Sequence, residues 1–404
     1  MTPFHLKTFI NRFPVLKNTA RFFFKLYENS VWNLFTLYFK LYGRHRFFTA
    51  DKPKEVRSVL HVSVLSHKPY MLSLLMRQKG LKSEYMAVHA ESGWLQVGDK
   101  GYDYNIPWNM SGLIFRPFIT LHFFWNIMRR YDVIHYHFAS FLTYDGRELF
   151  YLKLMGKVIV VHFRGCDLRQ KSENNMKNPE LNCCQECEYP NGSCENEDQM
   201  LRIRLARKYA DLLFVTTPDL LDFLPEAEHI PFIMPFGVDI NNIEPAPRTP
   251  GTFRVVTSSN HDSVDGTKYI RNAVKRLQRE GRSIELIEVH NTPYEKALSI
   301  YKSADIYAGK LLMGYYNNAN IECMMMGVPC LSYIRDEFFD RIPDCPIIIT
   351  RPETVYQKLC EYMDKPEDLQ TAANKGIAFV KKYHDPDIIL RHLIKRYNEV
   401  LQSF

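Results

Sequence analysis

The sequence predicts an α/β protein of two doubly wound, parallel-sheet domains behind a helical extension. Three observations carry this. Short apolar strands alternate with helical segments from Arg57 to Phe223, the pattern of a parallel sheet covered on both faces. The alternation restarts at Phe253, after the proline-rich joint Glu244-Pro-Ala-Pro-Arg-Thr-Pro250-Gly251, which reads as a domain boundary. At 404 residues the chain is long enough for two separate cores. The expected divisions are residues 1–54, 55–245 and 246–404.

The elements follow in order. Ser58–Val64 is a strand, Tyr70–Gln78 a helix ending near Gly80, and Glu84–Val88 a second strand. Leu113–Met128 reads as a helix feeding the strand Asp132–Phe138. Gly146–Met155 is a helix, and Lys157–His162 a Val/Ile-rich strand. Asp211–Thr216 is a strand, followed by a helix over Pro218–Phe223. In the second half, strand Phe253–Ser258 leads to helix Thr267–Glu280. Strand Ser283–Val289, helix Pro293–Ser303 and strand Asp305–Ala308 come next. The last helices run from about Pro366 to the end. Facing parallel sheets would create an interdomain cleft for ligands at the strands' carboxyl ends.

The net charge of +7 suits an anionic partner. Much of it sits in the first fifty residues, where eight Lys and Arg, from Lys7 to Arg46, face only Glu28 as an acid. Phe22, Phe23, Phe24, Trp32, Phe35 and Phe39 lie among them. The longest uncharged run, Asn29–Phe39, is far short of the roughly 20 residues a membrane span needs. Two readings stand: a peripheral helix on an anionic leaflet, or helices packed on the first domain with aromatics inward. Nine cysteines and no secretory signal point to the cytoplasm, on or near the cytoplasmic face of a membrane. No nucleic-acid recognition motif occurs, and the absence of GxGxxG argues against an organic dinucleotide cofactor.

Cys183-Cys184-Gln-Glu-Cys187-Glu-Tyr-Pro-Asn-Gly-Ser-Cys194 gathers four thiols in a polar loop, with Cys166 upstream. The insert spans residues 166–195. Such a set suits structural zinc on Cys184, Cys187, Cys194 and either Cys183 or Cys166. Free thiols in a flexible insert, or disulfides outside the cytosol, are the other readings.

The most informative stretch is Gly314-Tyr-Tyr-Asn-Asn-Ala-Asn-Ile-Glu322-Cys-Met-Met-Met-Gly327-Val-Pro-Cys330. A glycine turn, a helix with an early carboxylate, then Gly-x-Pro and a short strand form a ligand cradle. Helix N-terminal amides favour phosphate, and a carboxylate can accept both hydroxyls of a ribose.

This segment resembles the nucleotide-sugar site of GT-B fold glycosyltransferases of the GT4 kind, and the resemblance runs from about Arg57 to Tyr383. It implies two Rossmann-like domains, a nucleotide-diphosphate sugar donor and a glycan or lipid-linked acceptor, with transfer by retention and no catalytic metal. His162-Phe-Arg164-Gly165-Cys166-Asp167-Leu-Arg169 looks like the family's HxGxDxR segment, which implies acceptor-side roles for His162, Arg164 and Asp167; a turn capped by the Asp is the other reading. Thr216-Thr-Pro-Asp219 resembles its strand-to-helix turn, and Pro235-Phe-Gly237-Val-Asp239 its hinge, with Gly237 near the donor's phosphates. Some relatives also carry a Cys-rich insert after the GCDxR segment. Thr257-Ser258-Ser259-Asn260-His-Asp262-Ser-Val-Asp265-Gly266 resembles the donor domain's first loop. Asp262 and Asp265 stand where many relatives carry Arg and Lys, and Gly314 stands where the Glu-x7-Glu pattern has its first glutamate. Ser258, Ser259, Asn260, Gly266 and Lys310 are then expected to meet the diphosphate, and Glu322 the ribose. These departures leave a second expectation open, a non-catalytic relative acting as a membrane scaffold or sugar-nucleotide sensor.

Overall fold

The computed structural model describes residues 14–39, 54–64, 66–88, 101–106, 110–190, 194–234 and 251–403. Two parallel sheets flanked by helices carry the chain, in the α/β arrangement expected. The chain divides into two compact units. One holds Met1–His162, Met200–Leu213 and Leu393–Phe404; the other holds Phe163–Gln199 and Phe214–His392. The Cys-rich insert therefore belongs to the second unit. Most of the proline-rich joint, and Gly237, fall outside the described residues.

The first sheet is ordered β3-β2-β1-β4-β5-β6-β7. Its strands are β1 (Ser58–Ser63), β2 (Lys82–Val88), β3 (Tyr104–Ile106), β4 (Val133–His137), β5 (Val158–Phe163), β6 (Leu212–Val215) and β7 (Glu228–His229). β1, β4 and β5 are buried along their whole length, which is why they read as near-continuous apolar runs. The second sheet is ordered β12-β11-β10-β8-β9. It comprises β8 (Phe253–Ser258), β9 (Ile284–Val289), β10 (Ile306–Ala308), β11 (Cys330–Ser332) and β12 (Ile348–Ile349).

One device recurs at the strand starts. Asp132, Asp211 and Asp305 each precede a strand, and each carboxylate accepts a backbone N–H from a neighbouring strand's first residues. Asp132 takes Arg57 and Ser58 at 3.0 Å, Asp211 takes Ile159 at 2.9 Å, and Asp305 takes Arg254 at 2.7 Å. These bonds satisfy amides at the sheet's end and hold register where the ladder begins.

Helix α1 (Pro14–Tyr38) packs beside α3 (Met110–Asn126) and α4 (Arg147–Leu154). α2 (His67–Gln78) starts three residues before the expected Tyr70, because Pro69 is tolerated in a helix's first turn. α5 (Lys171–Lys177) and α6 (Glu197–Tyr209) follow; both are largely polar and left no apolar stripe to read. The expected helix over Pro218–Phe223 is a single 3-10 turn, Pro218–Asp222, too short to develop α-helical bonding. In the second unit, α7 (Asp262–Asp265) and α8 (Thr267–Arg279) follow β8, and α9 (Tyr294–Lys302) follows β9. α10 (Asn318–Met325) comes after β10, and α11 (Val355–Asp364), α12 (Pro366–Tyr383) and α13 (Pro386–Gln402) close the chain. Ile270, Val274 and Leu277 of α8 pack on Val255, Ile306 and Leu331 of the sheet.

α1 has two faces. Trp32 is fully buried, stacked on Tyr151 and edge-on to Phe35 and Phe124, and its indole N–H donates to Thr120 Oγ1 at 3.3 Å. Leu26, Leu34 and Leu37 are exposed, as are Phe115 and Phe118 of α3. Among the described residues no helix is long and apolar enough to cross a membrane. Removing the Trp32 side chain empties the centre of this aromatic cluster. Trp32→Ala is expected to lower stability by about 3–5 kcal/mol in urea unfolding; a loss below about 1 kcal/mol would show that α1 is only loosely attached.

Candidate active site

The second sheet reverses its strand order between β8 and β10. Open parallel sheets take ligands in the crevice beyond the strand ends at such a reversal. Here that place is formed by the loop after β8, residues 259–266, and the run after β10, from Gly309 to α10.

The two loops are bonded to each other. Ser259 Oγ donates to Asp265 Oδ2 at 2.8 Å and accepts the His261 N–H at 3.0 Å. Asp265 O accepts the Leu311 N–H at 2.9 Å, and Lys310 Nζ lies 2.8 Å from Asp265 Oδ1. Gly266 ends α7 with φ +81°, and a Cβ there would meet Leu311 and Leu312 at 3.1 Å, so glycine is required twice over. Ser258 Oγ pairs with the Tyr307 hydroxyl at 2.9 Å, and Asn260 is exposed.

The two acidic residues of this loop are each paired with a base. Asp265 faces Lys310. Asp262 receives Arg271 Nη2 at 2.9 Å, and Arg271 also pairs with Glu288 at 2.6 Å. Those hydrogen bonds hold Arg271 above its ordinary range and pull the Glu288 carboxyl below its own. Lys310, expected to meet a diphosphate, is engaged by Asp265.

Gly314, where the family pattern has a glutamate, has φ +76°. Arg335 packs on it, with carbons 2.8 Å from where a Cβ would stand. Arg335 is held there by Asp222 at 2.7 Å and by Glu337. An arginine stem therefore fills the space a first glutamate would need. α10 opens with a reciprocal cap: Asn317 Oδ1 accepts the Asn320 N–H at 3.0 Å, and Asn320 Oδ1 accepts the Asn317 N–H at 3.1 Å. Glu322 is the helix's fifth residue, one turn further in than its expected place at the helix start. It is buried, and Tyr294 OH donates to its Oε1 at 3.3 Å. Burial and the Glu322 charge push the Tyr294 phenol well above its ordinary range.

On the expected acceptor side, Asp167 accepts the Arg164 N–H at 3.0 Å and the Gly165 N–H at 2.6 Å. It caps the turn that carries Arg164, which is partly exposed. Burial raises the Asp167 carboxyl, partly offset by these amides. Arg169, 2% exposed, forms a two-pronged ion pair with Asp219, 3.2 Å from its Nε. His162 lies in the first unit at the end of β5, buried in a row of histidines.

The Cys-rich insert is packed rather than free. Cys183 and Cys184 are buried with Val264 and Leu312, and with Leu181, Cys187, Tyr189, Tyr269 and Met313 around them. Tyr189 lies against His261 at 4.5 Å, the Glu188 N–H donates to Ser263 Oγ at 3.4 Å, and Lys268 pairs with Glu186 at 2.8 Å. The insert thus walls the loop after β8. Its sulfurs meet a zinc geometry only in part. Cys183 and Cys184 Sγ are 4.0 Å apart, near the roughly 3.8 Å of a tetrahedral zinc–thiolate pair. Cys166 Sγ instead takes an Arg169 N–H at 3.6 Å, and among the described residues no three sulfurs lie within 4.8 Å of one another.

Arg271, Tyr294, Arg335 and Asp222 escaped the sequence reading, and Asp219 entered it only as part of a turn. Asp219 is 50 residues from Arg169 and Asp222 is 113 from Arg335, so no local spacing announces either pair.

No protein family and no curated protein matches the sequence. Among solved structures, the chain is similar to sucrose-phosphate synthase from Thermosynechococcus elongatus, with a TM-score of 0.56 and 12% identity over 86% of this chain and 100% of that one. Weaker likenesses are to a glycotransferase of kitacinnamycin (TM-score 0.46, 12% identity, 85% and 100% covered) and a UDP-N-acetylglucosamine 2-epimerase (0.47, 14%, 80% and 91%). At such identities the first likeness speaks to fold alone: two Rossmann-like domains of the GT-B kind.

The packing of Arg335 makes Gly314 a sharp test. Gly314→Glu restores the family's two-glutamate pattern in sequence, yet it forces a strained φ and displaces Arg335 from Asp222. It is expected to lower the melting temperature by several degrees, the shift of about 1–3 kcal/mol. An unchanged melting temperature would show that the space at Gly314 is open.

Proposed function

We propose that the protein is a glycosyltransferase that moves a sugar from a nucleotide-diphosphate donor to a hydroxyl on a glycan or lipid-linked acceptor. Retention of configuration and a place in cell-envelope polysaccharide or glycoconjugate synthesis are part of the proposal. The observation that carries it is the strand reversal at β8 and β10, where the Ser258–Gly266 loop follows one of two adjacent strands and Lys310 and the α10 helix with the buried Glu322 follow the other. In this reading Glu322 accepts the ribose hydroxyls, with Tyr294 orienting its carboxylate. Lys310 turns from Asp265 to the departing diphosphate. Arg164, on the turn capped by Asp167, meets the acceptor, and His162 supports that strand end. Catalysis is then orientation and charge stabilisation of the leaving group, with no catalytic metal. Structural zinc is proposed on Cys184, Cys187, Cys194 and either Cys183 or Cys166.

The Lys310–Asp265 pair also favours a second reading. A diphosphate must compete with Asp265 for the lysine, and a sensor or scaffold could bind donor without turnover. Turnover of a bound donor into free sugar or transferred product separates the two.

A panel of UDP-, GDP-, ADP- and CMP-sugars is expected to give one selective rise in melting temperature. By titration calorimetry, Glu322→Ala removes charged-group hydrogen bonds worth about 1.5–3 kcal/mol, an affinity loss of about ten- to hundredfold. Lys310→Ala weakens the nucleotide sugar and leaves the nucleoside unchanged, and Asp265→Asn frees Lys310 and tightens the donor. Parent-like affinity in both Glu322→Ala and Lys310→Ala would place the donor elsewhere.

The exposed Leu34, Leu37, Phe115 and Phe118, with the basic N-terminal composition, support a peripheral site on an anionic leaflet, on the cytoplasmic side. Co-sedimentation with phosphatidylserine-containing vesicles should weaken as salt rises and drop in Leu34→Asp. Equal sedimentation of the variant would remove this face from membrane contact.

A further inference from the structure

We propose that His61, His135 and His137 form a buried site for a divalent first-row transition ion, Zn2+ in the first instance, within the first unit. Strand register creates it. His61 of β1 pairs with His135 of β4, and His137 of β4 pairs with His162 of β5. Alternate residues of a strand share a face, so four imidazoles stand on one face of three adjacent strands. His61, His135 and His137 have no exposure and His162 has 4%.

The spacing fits a metal. One ring nitrogen from each of His61, His135 and His137 lies within 4.8 Å of the other two. His61 Nδ1 and His137 Nε2 are 3.1 Å apart, and zinc–imidazole bonds of about 2.0–2.1 Å place tetrahedral nitrogens roughly 3.3–3.4 Å apart. A second layer is present too. The Tyr397 hydroxyl on α13 lies 2.7 Å from His135 Nδ1, and an Nδ1–H donated to it leaves Nε2 as the ligating atom. His162, with its ring centroid 5.5 Å from that of His135 and 5.7 Å from that of His137, is the fourth imidazole of the row. Neutral imidazole suits zinc, copper and nickel. The burial makes the site structural, a tie between β1 and β4 braced by α13.

The competing arrangement is a row of neutral imidazoles held by hydrogen bonds and stacking, with no ion. The full chain, grown with added Zn2+ and purified without chelator, separates the two by metal content per chain. His137→Gln and His61→Gln are expected to lose one equivalent that Cys183→Ser/Cys184→Ser keeps. Tyr397→Phe, which preserves shape, should keep the metal but hold it about ten- to hundredfold more weakly against a chelator. Binding should weaken as pH falls and protons compete for the imidazoles. Protein grown with Co2+ provides a check that does not depend on folding of the variants: its visible spectrum should show a cobalt site that lacks a thiolate charge-transfer band when both cysteines are serine. Metal content equal to the parent in well-folded His137→Gln, or no metal and no cobalt spectrum in the double serine variant, overturns the proposal.

Discussion

The ion pair between Lys310 and Asp265 ties together the two loops on which the candidate site depends. It joins the ends of β8 and β10 at the point where the second sheet reverses its strand order. Around it the chain is tightly fitted. A Cβ at Gly309 would lie 2.7 Å from the Asn320 amide, and one at Gly266 would lie 3.1 Å from Leu311. The same Asn320 completes the cap of α10, so the cradle's floor and its helix are fixed by one residue. Such a crevice is preorganised. The electrostatic cost of its acidic loop is offset locally, by Lys310 against Asp265 and Arg271 against Asp262.

This arrangement changes how the departures from the family pattern are understood. Asp262 and Asp265 each already face a base, so their charge is offset within the unit. Gly314 is more than a lost glutamate: Arg335 occupies that space and reaches Asp222. The Cys-rich insert is drawn into the same neighbourhood, with Tyr189 on His261 and Glu186 on Lys268. Close to it, the buried Arg169–Asp219 pair ties the turn after β5 to the turn after β6. Removing one partner of such a pair leaves the other charged and unpaired, which makes it a structural requirement of the unit whatever the insert binds.

Much of this was legible in the sequence. Val158–Phe163 read as a buried strand because its apolar run is continuous, and Asp132 marked the start of β4, where it proved to bond the neighbouring strand. The glycine turn and helix around Glu322 announced a cradle. Other parts had no local signature. β3, β7 and β12 have three, two and two residues, too few to show a period. α6 is rich in Arg, Lys and Glu, so its buried face left a faint pattern. His61 lies 76 residues from His137, and only strand register brings them together. Gly237 and the joint before β8 lie outside the described residues, and their expected roles stand on resemblance.

The crevice beyond β8 and β10 is the proposed seat of a nucleotide-diphosphate sugar. A crystal structure of the protein with the nucleoside diphosphate of its best-stabilising donor tests this most directly. The diphosphate is expected against Lys310 and the Ser258–Gly266 loop, with the ribose hydroxyls on Glu322 and the Lys310–Asp265 pair opened. A nucleotide bound away from both loops, with Lys310 still on Asp265, would contradict it.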